Sequence, residues 1–188
     1  MIDVLLSSSI PLPGRDRRFF ETADLLAIRE SVKALVEIVL PVGRITHGGH
    51  PTITPLLAMY VREAGLDPDR LTIFQSKLHA AVLPRENAHF SDIRMIDAVG
   101  TDLVASHRAM REAMITSRPF KAAVFIGGME GIQDEAALFA QTHPNAALLP
   151  VATTGAGAAE LAERIGTPDH IRTERTYPTL FRRFLIET

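Results

Sequence analysis

Phe125–Glu135 reads FIGGMEGIQDE, and it follows Ala122-Ala123-Val124. Ala122–Ile126 is an unbroken apolar run of strand length, as expected for a strand covered on both faces in a parallel sheet. It breaks into Gly127-Gly128 and, past Met129 and Glu130, into Gly131. Three glycines in five residues let a backbone turn tightly and approach another group closely. A helix is expected after Gly131, with Glu135 in its first or second turn. Strand, glycine turn and helix in that order predict one unit of an α/β sheet.

The same alternation runs along the chain. Further strands are expected at Asp3–Ser8, Arg44–His47, Leu71–Gln75 and Ala147–Ala152. Between them, Leu25, Ile28, Val32, Leu35, Val36 and Val39 recur at helical spacing, predicting a helix of about five turns. Thr54-Pro55 predicts a capped helix start, with Gly65 closing that helix. Thr101 is the expected cap of a helix whose apolar side carries Leu103, His107, Met110 and Met114. Another helix follows Gly155 and stops at Gly166. The tail YPTLFRRFLIE predicts a last short helix packing Leu180, Phe181 and Phe184. Asn87–Val99 fits a loop, an extra strand or an edge hairpin. Together these predict a doubly wound, mainly parallel α/β sheet with helices on both faces, in one domain spanning residues 1–188.

The unusual residues fall at strand carboxyl ends: SSSIPLPGR, HGGHPTITP, FQS, GGMEG and TTGAG. In an open α/β sheet that edge binds ligands, at the crevice where strand order reverses. Helix amino termini beyond such loops offer free N–H groups to phosphate. The expected ligand-binding residues are therefore Ser7, Ser8, Ser9, Gly48, Gly49, His50, Pro51, Gln75, Ser76, Gly127–Gly131, Thr153, Thr154 and Gly155. Within the fourth loop, Gly127, Gly128, Met129, Glu130 and Gly131 all count. No Gly-Lys-Ser/Thr occurs, so this is not a Walker A loop, and GGMEG is not a dinucleotide G-x-G-x-x-G turn.

Composition narrows the chemistry. The 188 residues are 46% hydrophobic and 22% charged with a net charge of −2, a balance without a basic footprint for nucleic acid. Cysteine is absent, which removes disulfides, thiolate metal sites and a Cys nucleophile. The amino terminus does not read as a signal peptide and no apolar run reaches membrane-spanning length, so a cytoplasmic, membrane-free protein is expected. His47 and His50 flank two glycines without a nearby carboxylate, so no metal or cofactor is expected. Ser7–Ser9 lack the G-x-S-x-G elbow and a sequence-placed histidine–acid pair, which favours hydrogen bonding over nucleophilic attack. Gln75 and Ser76 serve either a ligand or the bracing of the loop. Glu135 either complements a helix dipole or acts as an acid–base group. Arg111, in HRAMREAM, either sits on a solvated helix face or reaches a phosphate.

LSSSIPLPGR, HGGHPTITPL, IFQS, MREAM, FIGGMEGIQDE and PVATTGAGA together resemble the SLOG superfamily, over about Asp3 to Ala158. These are Rossmann-like domains related to the LOG cytokinin-activating proteins and to the DNA-processing protein DprA. The resemblance is greatest to a prokaryotic subgroup that occurs with TIR or sirtuin-type effectors in conflict systems. It implies a sensor of a nucleotide-derived ligand, NAD-derived or cyclic, standing alone or acting on a separately encoded effector, and assembling as a homo-oligomer. LOG proteins instead hydrolyse the N-glycosidic bond of a nucleoside monophosphate, through Pro-Gly-Gly-x-Gly-Thr-x-x-Glu and an arginine on the preceding helix. Gly127, Gly128, Gly131 and Glu135 match that motif, and Arg111 stands for the arginine. Ile126 and Ile132 replace its proline and threonine, and Glu130 is an added residue that repels phosphate unless it points away or meets a cation.

Three functions follow as expectations. The first is a binding module for a nucleotide derivative. The second is an N-glycosidase with Glu135 and Arg111 as catalytic residues. The third is an oligomeric scaffold with a vestigial pocket.

Overall fold

The apolar runs become strands buried on both faces. A computed structural model describes residues 1–15 and 17–187. Its strands are β1 (Ile2–Ser9), β2 (Gly43–His47), β3 (Leu71–Ser76), β4 (Asp92–Ile96), β5 (Ala122–Gly127) and β6 (Ala147–Pro150). They form one six-stranded sheet in the order β4-β3-β2-β1-β5-β6. Every neighbouring pair is parallel, with Leu6 opposite His47 and Ser9 opposite Gly127 in the central pairings. All residues of β3 and β5 are buried, which is why both read as continuous apolar or small runs.

Asn87–Val99 resolves into a 3-10 turn at Arg85–His89 and the edge strand β4. Its Asp92 and Arg94 pair with each other near solvent, and Asp92 accepts a 2.7 Å bond from Thr72 Oγ1. Charge on an edge strand blunts unwanted pairing and dilutes the hydrophobic signal.

The helices are α1 (Arg17–Thr22), α2 (Leu25–Val39), α3 (Thr54–Glu63), α4 (Leu103–Ile115), α5 (Gly131–Thr142), α6 (Ala156–Arg164), α7 (Asp169–Arg172) and α8 (Tyr177–Phe181). Asp24 caps α2 by accepting from the Ala27 N–H at 2.9 Å. Two caps differ from expectation. Asp102, not Thr101, caps α4, accepting from Ala105 N–H at 3.0 Å. Thr54 lies inside its helix, because a turn at His50–Ile53 already starts it and Thr54 Oγ1 donates back to the His50 carbonyl.

One sheet face packs Val4, Leu6, Ile45, Ile73, Val124 and Ile126 against α2, α3 and α8. The other packs Leu5, Phe74, Ala123 and Phe125 against α4, α5 and α6. In the tail, Leu180 and Phe181 are buried and Phe184 is partly buried on the first of these cores. The apolar tail is thus spent inside the chain and offers no support for a partner surface. Among the described residues no helix is long and apolar enough to cross a membrane.

Candidate functional site

From β1 the sheet grows one way through β2, β3 and β4, and the other way through β5 and β6. The reversal lies between β1 and β5, and at their carboxyl ends opens a cleft of about 480 Å³. That volume suits a small organic ligand.

The three serines ending β1 all border the cleft and are all buried. Ser8 Oγ is buried without a hydrogen-bond partner. That atom is closed to solvent and lies on the α2 face of β1, so the hydroxyls β1 offers a cleft ligand are those of Ser7 and Ser9, on the opposite face. The Ser9 carbonyl accepts from Gly128 N–H at 2.8 Å, tying the β1 end to the turn after β5.

That turn divides into two parts. Gly127 and Gly128 have φ of +60° and +78°. A Cβ on Gly127 would lie 2.6 Å from Ile28 Cδ1 and 2.9 Å from the Ser9 carbonyl oxygen, and one on Gly128 would strike Ile132. These two glycines serve the crowded turn and stand behind the cleft wall. Met129, Glu130 and Gly131 form the wall itself and begin α5. Of its first-turn donors, Ile132 N–H is taken by the Met129 carbonyl and Gln133 N–H by the Glu130 carbonyl, which leaves Gly131 N–H for a ligand. A Cβ on Gly131 would lie 2.5 Å from Arg111 Nη2, so the glycine admits that guanidinium to the helix start.

The β2 end contributes His47, Gly48, Gly49, His50 and Pro51. His47 donates through Nδ1 to the Leu6 carbonyl at 3.1 Å and accepts the His50 N–H at Nε2. Burial pulls it down to about 4, against a smaller upward pull from the Leu6 bond. Both ring nitrogens are occupied, so His47 offers no lone pair to a metal. His50 Nδ1 accepts from the Thr52 hydroxyl at 2.8 Å and the Thr52 N–H, leaving Nε2–H as its remaining donor. Burial, then His47 and Arg15, lower it to about 4. Both rings are neutral at pH 7.

Gln75 and Ser76 border the cleft mainly as braces. Gln75 Nε2 donates to the Gly49 carbonyl at 3.1 Å, and its Oε1 accepts from Asn87 at 2.7 Å. Ser76 Oγ accepts from Leu78 N–H and caps a 3-10 turn at Lys77–Val82. That turn carries His79 and Val82 onto the cleft, followed by Leu83 and Pro84. His79 meets His107 of α4 with 2.8 Å between Nε2 atoms. Sequence reasoning missed this wall, since nothing in KLHAAVLP distinguishes a cleft-facing turn from a surface loop. The apolar side of α4 is core at Met110 and Met114, but its Leu103, His107 and Met110 also border the cleft, and Leu103 is half exposed.

Arg111 and Glu135 do meet. Arg111 Nε donates to Glu135 Oε1 at 3.1 Å, and Nη1 reaches Asp134 Oδ2 at 3.4 Å. Glu130 meets a cation as well, Arg15 Nη2 at 3.8 Å. Thr153, Thr154 and Gly155 correct the expectation of a fifth ligand loop, because none borders the cleft. Thr154 Oγ1 accepts from Gly127 N–H and donates to the Val151 carbonyl. Thr153 bonds Tyr177 and the Glu174 carbonyl. Gly155, at φ +71°, packs on the Thr22 carbonyl. Among the described residues no three His, Asp or Glu side chains gather as a metal would need.

A model of the SLOG cluster3 family matches residues 18–185. The chain belongs to that family. The match takes in β2 to β6 and the cleft residues they and their helices supply, and begins after β1 and Arg15. The crystal structure of TM1055, a structural genomics target, is similar with a TM-score of 0.55 at 14% identity, covering 87% of this chain and 81% of that one. At that identity the likeness concerns the fold alone, which is Rossmann-like. No curated protein matches by sequence.

Proposed function

We propose that this SLOG protein binds a nucleotide-derived small molecule in the cleft at the carboxyl ends of β1, β2, β3 and β5. The observation that carries the reading is the convergence there of Ser7–Ser9, Gly48–Pro51 and the amino terminus of α5. Hydroxyls, a neutral imidazole N–H and the Gly131 N–H form a donor-rich wall suited to phosphate and ribose oxygens. Val82, Leu83, Leu103 and Met110 supply an apolar wall for a base. Signalling to a separately encoded effector and assembly as a homo-oligomer belong to the same proposal and rest on family membership.

A second reading, hydrolysis of an N-glycosidic bond, is favoured by the Arg111–Glu135 contact. Glu135 would deprotonate water or stabilise the developing oxocarbenium charge, and Arg111 would orient that carboxylate.

One experiment separates them. The protein is incubated with nucleoside monophosphates, NAD and cyclic ADP-ribose isomers while thermal midpoint and base release are followed. A saturable rise in midpoint without base release supports binding. Base release abolished by Glu135→Gln moves the assignment to the enzyme, and a midpoint unmoved by every compound rejects both.

A further inference from the structure

The charges around the cleft narrow the ligand class, on the reading that a nucleotide derivative binds there. Among the described residues that border it, the formal charges are those of Arg15, Arg111, Glu130 and Glu135. Each arginine already faces carboxylate. Arg111 contacts Glu135 and Asp134, and Arg15 faces Glu130. Three of its four histidines, His47, His50 and His107, add little positive charge at neutral pH. His47 and His50 are neutral, and burial together with His79, Arg111 and Arg15 pulls His107 below its ordinary value. His79 shares one proton-bearing contact with His107. What remains is neutral donors: the Ser7 and Ser9 hydroxyls, His50 Nε2–H and the Gly131 N–H at the start of α5.

Glu130 occupies the position before the first residue of α5, with helical backbone angles and no capping bond from its side chain. A dianion at the α5 terminus would take Arg15 from it and then face that carboxylate at close range. A terminal phosphomonoester carries about −1.5 to −2 charges near pH 7. An esterified phosphate has lost the second ionisable oxygen and carries a single charge. Neutral donors and one arginine suffice for it.

We propose that the cleft selects nucleotide derivatives whose phosphates are all esterified, as in dinucleotides and cyclic nucleotides, and that Glu130 is the residue that rejects a terminal phosphomonoester. The attraction is general to phosphate oxygens, and the specificity is a repulsion.

The test measures affinity by calorimetry for the four common nucleoside 5′-monophosphates and the 5′-methyl phosphodiester of each. Wild type and Glu130→Gln are compared. Glu130 is exposed and outside both cores, and matching thermal midpoints would verify that the variant is folded. Wild type is expected to bind at least one methyl ester about tenfold tighter than its parent monophosphate. Glu130→Gln is expected to remove that gap by tightening the monophosphate alone. Equal or tighter binding of the monophosphate by wild type overturns the selectivity while leaving the nucleotide site standing. A variant that shifts both compounds equally overturns the role of Glu130. Binding of neither class overturns the nucleotide site and this inference with it.

Discussion

Arg111 Nε lies 3.1 Å from Glu135 Oε1, joining α4 to α5 across the start of the helix that follows β5. The side chains are 22% and 15% exposed, so solvent screens the pair less than it would a surface pair. Gly131 makes room for the guanidinium, and the two helices carry it and the carboxylate from opposite sides of β5 in sequence. A double-mutant cycle with Arg111→Gln and Glu135→Gln is expected to give a coupling of about 1 kcal/mol, decreasing with added salt. Additive effects on urea unfolding would mean that the contact contributes nothing to stability.

Ser8 ends with a buried hydroxyl that the fold itself does not use. Removing it is expected to leave the ligand-free protein as stable as wild type or more so by up to about 1 kcal/mol, because an unsatisfied group disappears. The midpoint rise given by a bound nucleotide is expected to be unchanged in Ser8→Ala, whose hydroxyl is closed off from the cleft, and to shrink in Ser7→Ala. A large loss of stability in the ligand-free variant would show that the hydroxyl serves the fold.

Three glycines separate conformation from crowding. Gly14 has open space and Gly65 has open space but φ of +61°, whereas Gly127 has φ of +60° and contacts that a Cβ would violate. Alanine is expected to be neutral at Gly14, to cost about 1 kcal/mol at Gly65, and to cost more than about 2 kcal/mol at Gly127. Equal losses at Gly65 and Gly127 in chemical denaturation would refute the crowding of the β5 turn.

These positions mark what the sequence makes legible. Runs of buried residues made β1, β3 and β5 plain, while β4 hid because an edge strand leaves Asp92 half-buried and Arg94 exposed. The cleft's place was readable because small residues gather at strand ends. The use of each was not: Thr154 and Ser8 are both hydroxyls at strand ends, yet Thr154 is consumed by Gly127 N–H and Val151 while Ser8 is free. Periodicity located α4 but not which end of its apolar stripe leaves the core, since Leu103 and Met114 look alike in sequence. The His79 wall depends on a 28-residue separation that no local pattern encodes.

His47 makes stability depend on pH. Its folded value, about 4, lies below its ordinary 6.5 because burial disfavours the cation. Stability is therefore fully present above about pH 6.5 and is lost as pH falls toward 4, by up to about 3 kcal/mol. Protonation would also place a donor where Nε2 now accepts the His50 N–H. His47→Asn keeps a donor for the Leu6 carbonyl without titrating, so it is expected to be less stable at pH 7.5 but to lose less between pH 6.5 and 4.5. Urea unfolding at several pH values checks this, and parallel curves for the two proteins would count against it.

The contact between His79 and His107 predicts a second, local pH effect. At 2.8 Å between Nε2 atoms one ring donates and the other accepts, so the arrangement tolerates at most one charged ring. Burial, then His79, Arg111 and Arg15, hold His107 below its ordinary value. The closed wall is thus favoured above that ordinary value and weakened as pH falls through the lowered one. Residues 77–84 make up this wall of the cleft, and a charged His107 is disfavoured while it stays buried under them, so its protonation loosens the wall from α4. Amide exchange over these residues, corrected for the intrinsic effect of pH, is expected to be faster at pH 5 than at pH 7.5. His107→Gln keeps a neutral hydrogen-bonding group at the position and is expected to reduce that difference. Identical corrected protection of residues 77–84 at both pH values in the wild type would show that the two histidines do not hold the wall.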